Sequence, residues 1–363
     1  MTSRRRFLGA VGSALAVGGL AGCGYRPGGG DVRWRTERIR GLTPRNGIEV
    51  TEGLLVTVDE STMGYDFDSE EFTRGGAVTA YATEDGSELW SDSLGSELSC
   101  HAIGDGGGAV GVDGTVVRYG ADGERWRVDL DASLVALAVA DGRAYALTET
   151  DALVACVDGS ERWRVALEAD ADDGRGFGPS VAAGDDVVVC SVGGVVVGLA
   201  PDGKRRFHQS EAGVRELSVV DGSVFVVTGH GLATVDSDSG SVTWLIEGRI
   251  GRFAVTPDTV YGAFDAELVA YDRSGDRRWS TGGGGRSDGR DGDDTDYMGR
   301  VAADADGVFV DSSRGLTSLA PDDGSVRWRA QNRILSDGPF LVDDGVLVVE
   351  EDDLVCHYRT DTF

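Results

Sequence analysis

Residues 122–130 read DGERWRVDL, and residues 158–167 read DGSERWRVAL. The pair belongs to a series in which a tight turn is followed by an aromatic residue. EDGSELW ends at Trp90, ADGERW at Trp126, DGSERW at Trp163 and PDGKRRF at Phe207. DSGSVTW ends at Trp244, RSGDRRW at Trp279 and PDDGSVRW at Trp328. The intervals are 36, 37, 44, 37, 35 and 49 residues. A period of about 40 residues that always returns to the same local chemistry is the mark of a repeat architecture, and it sets the fold before composition is consulted.

Each unit is built of short strands. The sixth reads RFAVTPD, TVYGAF, ELVAYD, the turn RSGD, then RRWST. The runs are rich in Val, Tyr and Phe, bounded by Asp and Gly, and too short for helices. Valine-rich alternation and 56 glycines exclude a helical solenoid. Eight third-strand cores align from AVTAYATEDG to LVCHYRTD, yet only seven are followed by an aromatic. The eighth aromatic stands at the other end of the chain, as Trp34 in VRWRTE. The expected fold is all-β: an eight-bladed β-propeller of four-stranded antiparallel blades, closed by the N-terminal strand joining the C-terminal blade. Such closure removes the two exposed sheet edges.

These units resemble the repeats of the quinoprotein-type (PQQ-like) propeller family over residues 32–363. The resemblance implies that Trp34, Trp90, Trp126, Trp163, Trp244, Trp279 and Trp328, with Phe207 substituting, dock between neighbouring blades. Its fold serves both enzymes and scaffolds, so function must come from a site. Quinoprotein dehydrogenases of this fold use PQQ and calcium, an aspartate base and often a vicinal cysteine pair. This chain has no adjacent cysteines, and a cofactor is not expected. The four histidines make no metal-ligand spacing, and the carboxylates at 66–71 and 291–296 lack the spacing of a calcium loop, so no metal is expected. No catalytic motif appears either.

Acidic residues outnumber basic ones, 62 to 34, for a net charge of −28, and Lys204 is the only lysine. That charge argues against nucleic acid, whose binding needs a basic patch. An acidic, lysine-poor, globular chain is similar to proteins of salt-loving archaea, whose carboxylates keep the surface hydrated. At the N-terminus, SRRRFL is followed by an apolar, Gly/Ala-rich run and LAGC. Arg4, Arg5, Phe7 and Leu8 resemble the twin-arginine export motif, and LAGC resembles a lipobox with Cys23 as the lipidated residue. Residues 1–22 are therefore expected to be a lipoprotein signal peptide, 23–31 a lipidated tether, and 32–363 a single propeller domain. Removing 1–22 takes away three arginines and no acids, leaving a charge of about −31.

If each blade runs from the channel outward, the connections between second and third strands, and from each blade to the next, share one face. The remaining turns, every DG turn included, share the other. Residues 59–75, 168–178 and 281–299 are the long connections, and all three fall on the first face. Arg215, Arg252 and Arg300 start the first strands of adjacent blades, with His101 placed comparably in the second blade. Two readings stand: an anion site at the channel mouth, or each arginine paired with a local carboxylate. The function expected is a membrane-anchored, cell-surface binding or assembly scaffold without catalysis. It resembles the lipoprotein of the bacterial outer-membrane barrel-assembly machinery. The alternatives are a PQQ-dependent dehydrogenase, or an extracellular sensor or carbohydrate-binding module. The expected partners are membrane lipid through Cys23 and a surface protein or glycan, with the domain itself monomeric.

Overall fold

A computed structural model describes residues 28–36, 47–66, 71–167, 179–210, 213–248, 250–264, 267–282, 297–312, 315–330, 335–350 and 353–360. They form eight four-stranded antiparallel sheets, and in the first seven the strands follow chain order. Blade 1 comprises Gly47–Thr51, Leu54–Asp66, Glu71–Ala82 and Glu88–Ser93. Blades 2 to 7 span 100–129, 134–166, 180–210, 216–247, 253–282 and 297–329. Blade 8 is Leu335–Val342, Gly345–Glu350 and Asp353–Tyr358, completed by Val32–Thr36.

Sequence pattern and position in the blade correspond. Second and third strands are covered on both faces by neighbouring blades, so Val188–Val192 and Val195–Leu199 are buried at every residue. Such strands read as continuous apolar runs. Fourth strands lie at the rim, and those of blades 1 to 3 alternate, as in Gly123–Asp129. Among the described residues the buried apolar side chains fall into eight clusters, one at each interface between adjacent blades. The core is thus a ring of seams, and a propeller stays rigid only while every seam is filled.

The rim aromatics reach forward across those seams. Trp90 donates from Nε1 to the Ala121 carbonyl of blade 2 at 2.8 Å. Trp163 does so to Pro201 of blade 4 at 2.9 Å and Trp279 to Pro321 of blade 7 at 2.8 Å. Trp328 donates to the Arg359 carbonyl, just past the third strand of blade 8, at 2.8 Å. Several of these rings need a bare backbone beneath them. A Cβ at Gly203, where φ is +85°, would lie 2.9 Å from Trp163, and one at Gly324 would lie 2.6 Å from Trp279. Phe207 lies against Gly240 and Trp34 against Gly86 in the same way, while the Cβ of Trp126 lies beside Gly159.

Trp244 takes the other face. In blade 1 the residue before the tryptophan bulges out of the ladder, since Tyr81 pairs with Glu88 and Ala80 with Trp90. In blade 5 the ladder runs unbroken from Val235↔Val242 to Ala233↔Trp244, and the bulge falls at Leu245 instead. A one-residue displacement inverts the side a residue faces. Leu245 is therefore buried in the seam with blade 6, and Trp244, 37% exposed, lies beside Val196 and Gln209 of blade 4.

Closure is made by several independent contacts. Trp34 pairs with Cys356 and Arg35 with Val355 in the ladder. The Arg35 guanidinium binds Glu350, which is 3% exposed, at 2.6 Å and Asp353 at 3.0 Å. Arg33 pairs with Asp344, and the buried His357 ring bonds the Gly30 carbonyl through Nδ1 at 2.8 Å. Gly29 and Gly30 lie against the Trp328 ring, so this part of the expected tether is built into the seam between blades 7 and 8.

Two topological expectations need correction. Residues 59–66 and 71–75 are not loop: the second and third strands of blade 1 continue as a ladder from Thr62↔Gly75 to Asp66↔Glu71. Nor do all DG turns share a face, because Asp113 and Gly114 join the second and third strands of blade 2. They adopt positive φ at both positions, as a two-residue hairpin requires.

Candidate functional site

First strands of six blades line a central cavity of about 930 Å³, on blades 1, 2, 5, 6, 7 and 8. Its charged groups are Glu49, Glu216, Arg252, Arg300, Asp311 and Asp337, with His101 alongside. Arg300 of blade 7 binds Glu49 of blade 1, lies 4.0 Å from Asp337 of blade 8 and stacks 4.5 Å over the Phe340 ring. One guanidinium thus ties three blades together across the mouth. Its planar, multidentate head suits that task better than an ammonium would.

Arg252 also lines the cavity, and through space it offsets part of the upward shift that burial imposes on the Glu49 and Glu216 carboxyls. Burial outweighs that attraction and leaves both carboxyls above their ordinary range. Arg215 lies just before the first strand of blade 5; it is exposed, outside the cavity lining, and its backbone N–H donates to Val227. Of the three arginines, then, two line the channel, and Arg300 makes the carboxylate pairing.

Two glycines shape the mouth. A Cβ on Gly299 would lie 2.4 Å from Asp311, so the second-strand carboxylate reaches the cavity past a first strand that has no side chain there. Burial pushes the Asp311 carboxyl up to about 6. Gly47 similarly leaves room for His101, whose Nδ1 lies 3.2 Å from Glu60. Asp311 was visible in the sequence as a carboxylate inside the apolar strand VFVDS, and a buried polar residue is the informative exception. Glu49, Glu216 and Asp337 carried no such signal.

Beside this mouth stands the blade 1 hairpin. Its base is strapped to the connection into blade 2: Leu98 N–H donates to Glu60 at 3.0 Å and Gly76 N–H to Ser96 at 2.8 Å. The Ser61 hydroxyl donates to Glu97 at 2.8 Å. Other predicted features, Arg4, Arg5, Phe7, Leu8, Cys23 and residues 168–178 and 283–296, lie outside the described residues. Among the described residues, no three imidazole, thiolate or carboxylate groups converge to hold a metal ion. Cys100, Cys156, Cys190 and Cys356 are buried free thiols in the seams, and burial pushes all four up.

The fold is similar to that of BamB from Moraxella catarrhalis, with TM-score 0.55 and 16% identity over 82% of this chain and 96% of that one. It is similar to the computationally designed Ika8 protein, with TM-score 0.61 and 14% identity over 91% and 100%. Sqt1 of Saccharomyces cerevisiae gives TM-score 0.54 and 12% identity over 93% and 97%. At these identities the likeness is one of fold. No curated protein matches the sequence. The family described as outer membrane protein assembly factor BamB matches residues 74–281 and 265–362, which is most of the propeller. With its PQQ-like repeats and eight closed blades, the chain belongs to that family.

Proposed function

We propose that this chain is a non-catalytic surface scaffold, exported and held by a lipid on Cys23 at the outer face of the cytoplasmic membrane. It presents one face of a closed ring to a partner protein. The observation that carries the reading is the blade 1 hairpin, which extends the ladder past Thr62↔Gly75 and rises from a ring with no open blade. A rigid propeller holds such an arm in a fixed direction, which is what positioning a partner requires. Membership of a family described as an assembly factor agrees with it.

The test uses the full chain in its own membranes, with a photo-crosslinking residue at Ser61 on the arm or at Asp141 on the opposite face. Adducts to one discrete protein from Ser61 and none from Asp141 are expected, and Cys23→Ser should release the chain from the membrane. Equal labelling from both positions would remove the case for the arm. Tight binding of PQQ with calcium, accompanied by substrate oxidation, would replace the scaffold with an enzyme.

A further inference from the structure

The six charged groups at the channel mouth divide into two sets. Arg300, Glu49 and Asp337 satisfy one another. Glu216, Arg252 and Asp311 stand on successive blades 5, 6 and 7, and none of the three makes a direct ion pair among the described residues. Arg252 is exposed to the cavity, Glu216 is half-buried at the start of its strand, and Asp311 enters through the opening left by Gly299. The ring therefore holds a guanidinium and two carboxylates with no partner at ion-pair distance among the described residues, although Arg252 acts on Glu216 through space and Asp311 accepts a hydrogen bond from the Ser312 backbone. Farther along the same first strands, Val220, Val255 and Ala303 give the cavity an apolar wall.

We propose that the channel mouth is a binding site for a small ligand carrying a carboxylate together with cationic nitrogens, the chemistry of a basic amino acid or the C-terminus of a basic peptide. The ligand carboxylate lies on Arg252 as a charge-assisted, bidentate pair. Its cationic nitrogens meet Glu216 and Asp311, and its hydrocarbon part lies on the apolar wall. Charge decides the class. Four carboxylates against two guanidiniums give the mouth an excess of negative charge, which turns away simple anions. A bare polyamine leaves Arg252 unpaired and is repelled by it. Two positive centres and one negative one match the three open groups. A cavity of about 930 Å³ is within the range of small-molecule sites and large enough for either form of the ligand. Burial raises the Asp311 and Glu216 carboxyls, and an arriving ammonium would reverse that.

The experiment is calorimetric titration of the full chain, at one fixed salt concentration, with L-lysine, cadaverine, 6-aminohexanoate and Gly-Gly-Lys. Cadaverine lacks the carboxylate and 6-aminohexanoate lacks the α-ammonium. Each is expected to bind roughly tenfold or more weakly than the better of L-lysine and Gly-Gly-Lys, since each loses a charge-assisted contact. L-Lysine binding more tightly than Gly-Gly-Lys identifies the free amino acid as ligand, and the reverse identifies a peptide end. Arg252→Gln should abolish the preference for L-lysine over cadaverine, and Asp311→Asn should weaken L-lysine while leaving that preference in place. Arg252 is exposed, so its variant is expected to keep the wild-type unfolding midpoint, which is measured alongside. The proposal is overturned if no probe gives saturable heat. It also fails if cadaverine matches L-lysine and Arg252→Gln changes nothing, because the mouth would then be a nonspecific sink for cations.

Discussion

Removing Arg35 tests how the ring is fastened. Its guanidinium is the partner of Glu350, a carboxylate 3% exposed on the second strand of blade 8, and it also reaches Asp353. Arg35→Met would strand the Glu350 charge inside the closing blade. Breaking a fully buried pair costs about 3–5 kcal/mol. Arg35 itself is 36% exposed, so water can replace part of what is lost, and ~2–3 kcal/mol is the fitting figure. For contrast, Arg127 and Glu124 pair on the blade 2 rim, and Arg127→Met should cost about 0.5 kcal/mol or less. The assay is urea unfolding at fixed salt. The double variant Arg35→Met/Glu350→Met should recover most of the loss, since it leaves no buried charge unpaired. The reasoning fails if Arg35→Met costs no more than Arg127→Met, or if the double variant is as unstable as the single one.

Trp163→Ala should cost about 3–5 kcal/mol, because it empties the seam over Gly203 and leaves the Pro201 carbonyl without its donor. Trp244→Ala, at a ring 37% exposed, should cost less than about 1.5 kcal/mol, and similar losses in urea midpoint for the two would contradict the blade 5 register. Asp311, held at about 6, keeps its proton in the folded state across a range where the unfolded chain has lost it. Stability should therefore fall as pH rises from about 4 to 6, by at most ~3 kcal/mol from this group. Asp311→Asn should remove that contribution, so its urea midpoint should gain on wild type between pH 4 and 7, and a constant difference would refute the assignment. Arg118, 1% exposed, donates to Asp105 at 2.8 Å, and Asp105 also accepts from Gly142 N–H of blade 3 at 2.7 Å. Asp105 is 23% exposed and water can reach it, so Arg118→Met should cost about 2–3 kcal/mol and speed amide exchange at Gly142.

The repeat was legible because every blade must make the same turn and the same seam from local residues. Trp34 completed the series for that reason, 294 positions before Trp328. The Trp244 inversion was not legible, since Trp244 follows Gly240 by four positions just as Trp279 follows Gly275. Only the position of a bulge differs, and a bulge is a property of backbone pairing. The blade 1 hairpin was hidden similarly, because acidic, glycine-containing residues are weak strand formers and the pairing is carried by main-chain groups. The channel mouth was half legible. Arg252 and Arg300 followed from their place in the repeat, whereas the union of Arg300 with Glu49, 251 residues away, depends on ring geometry.

The clasp of the ring is made first and fastened last. Val32–Thr36 precedes every other described strand, yet its partner Asp353–Tyr358 is the last of them. Until blade 8 is synthesised, Ile48, Leu55 and Tyr81 of blade 1 lack the Phe340, Leu347 and Leu354 that cover them. A growing chain must therefore carry an unsealed apolar flank for almost its whole synthesis. Such a flank invites pairing with another chain. Under the export route proposed for residues 1–22, crossing the membrane only after the clasp has shut would keep that flank away from its neighbours.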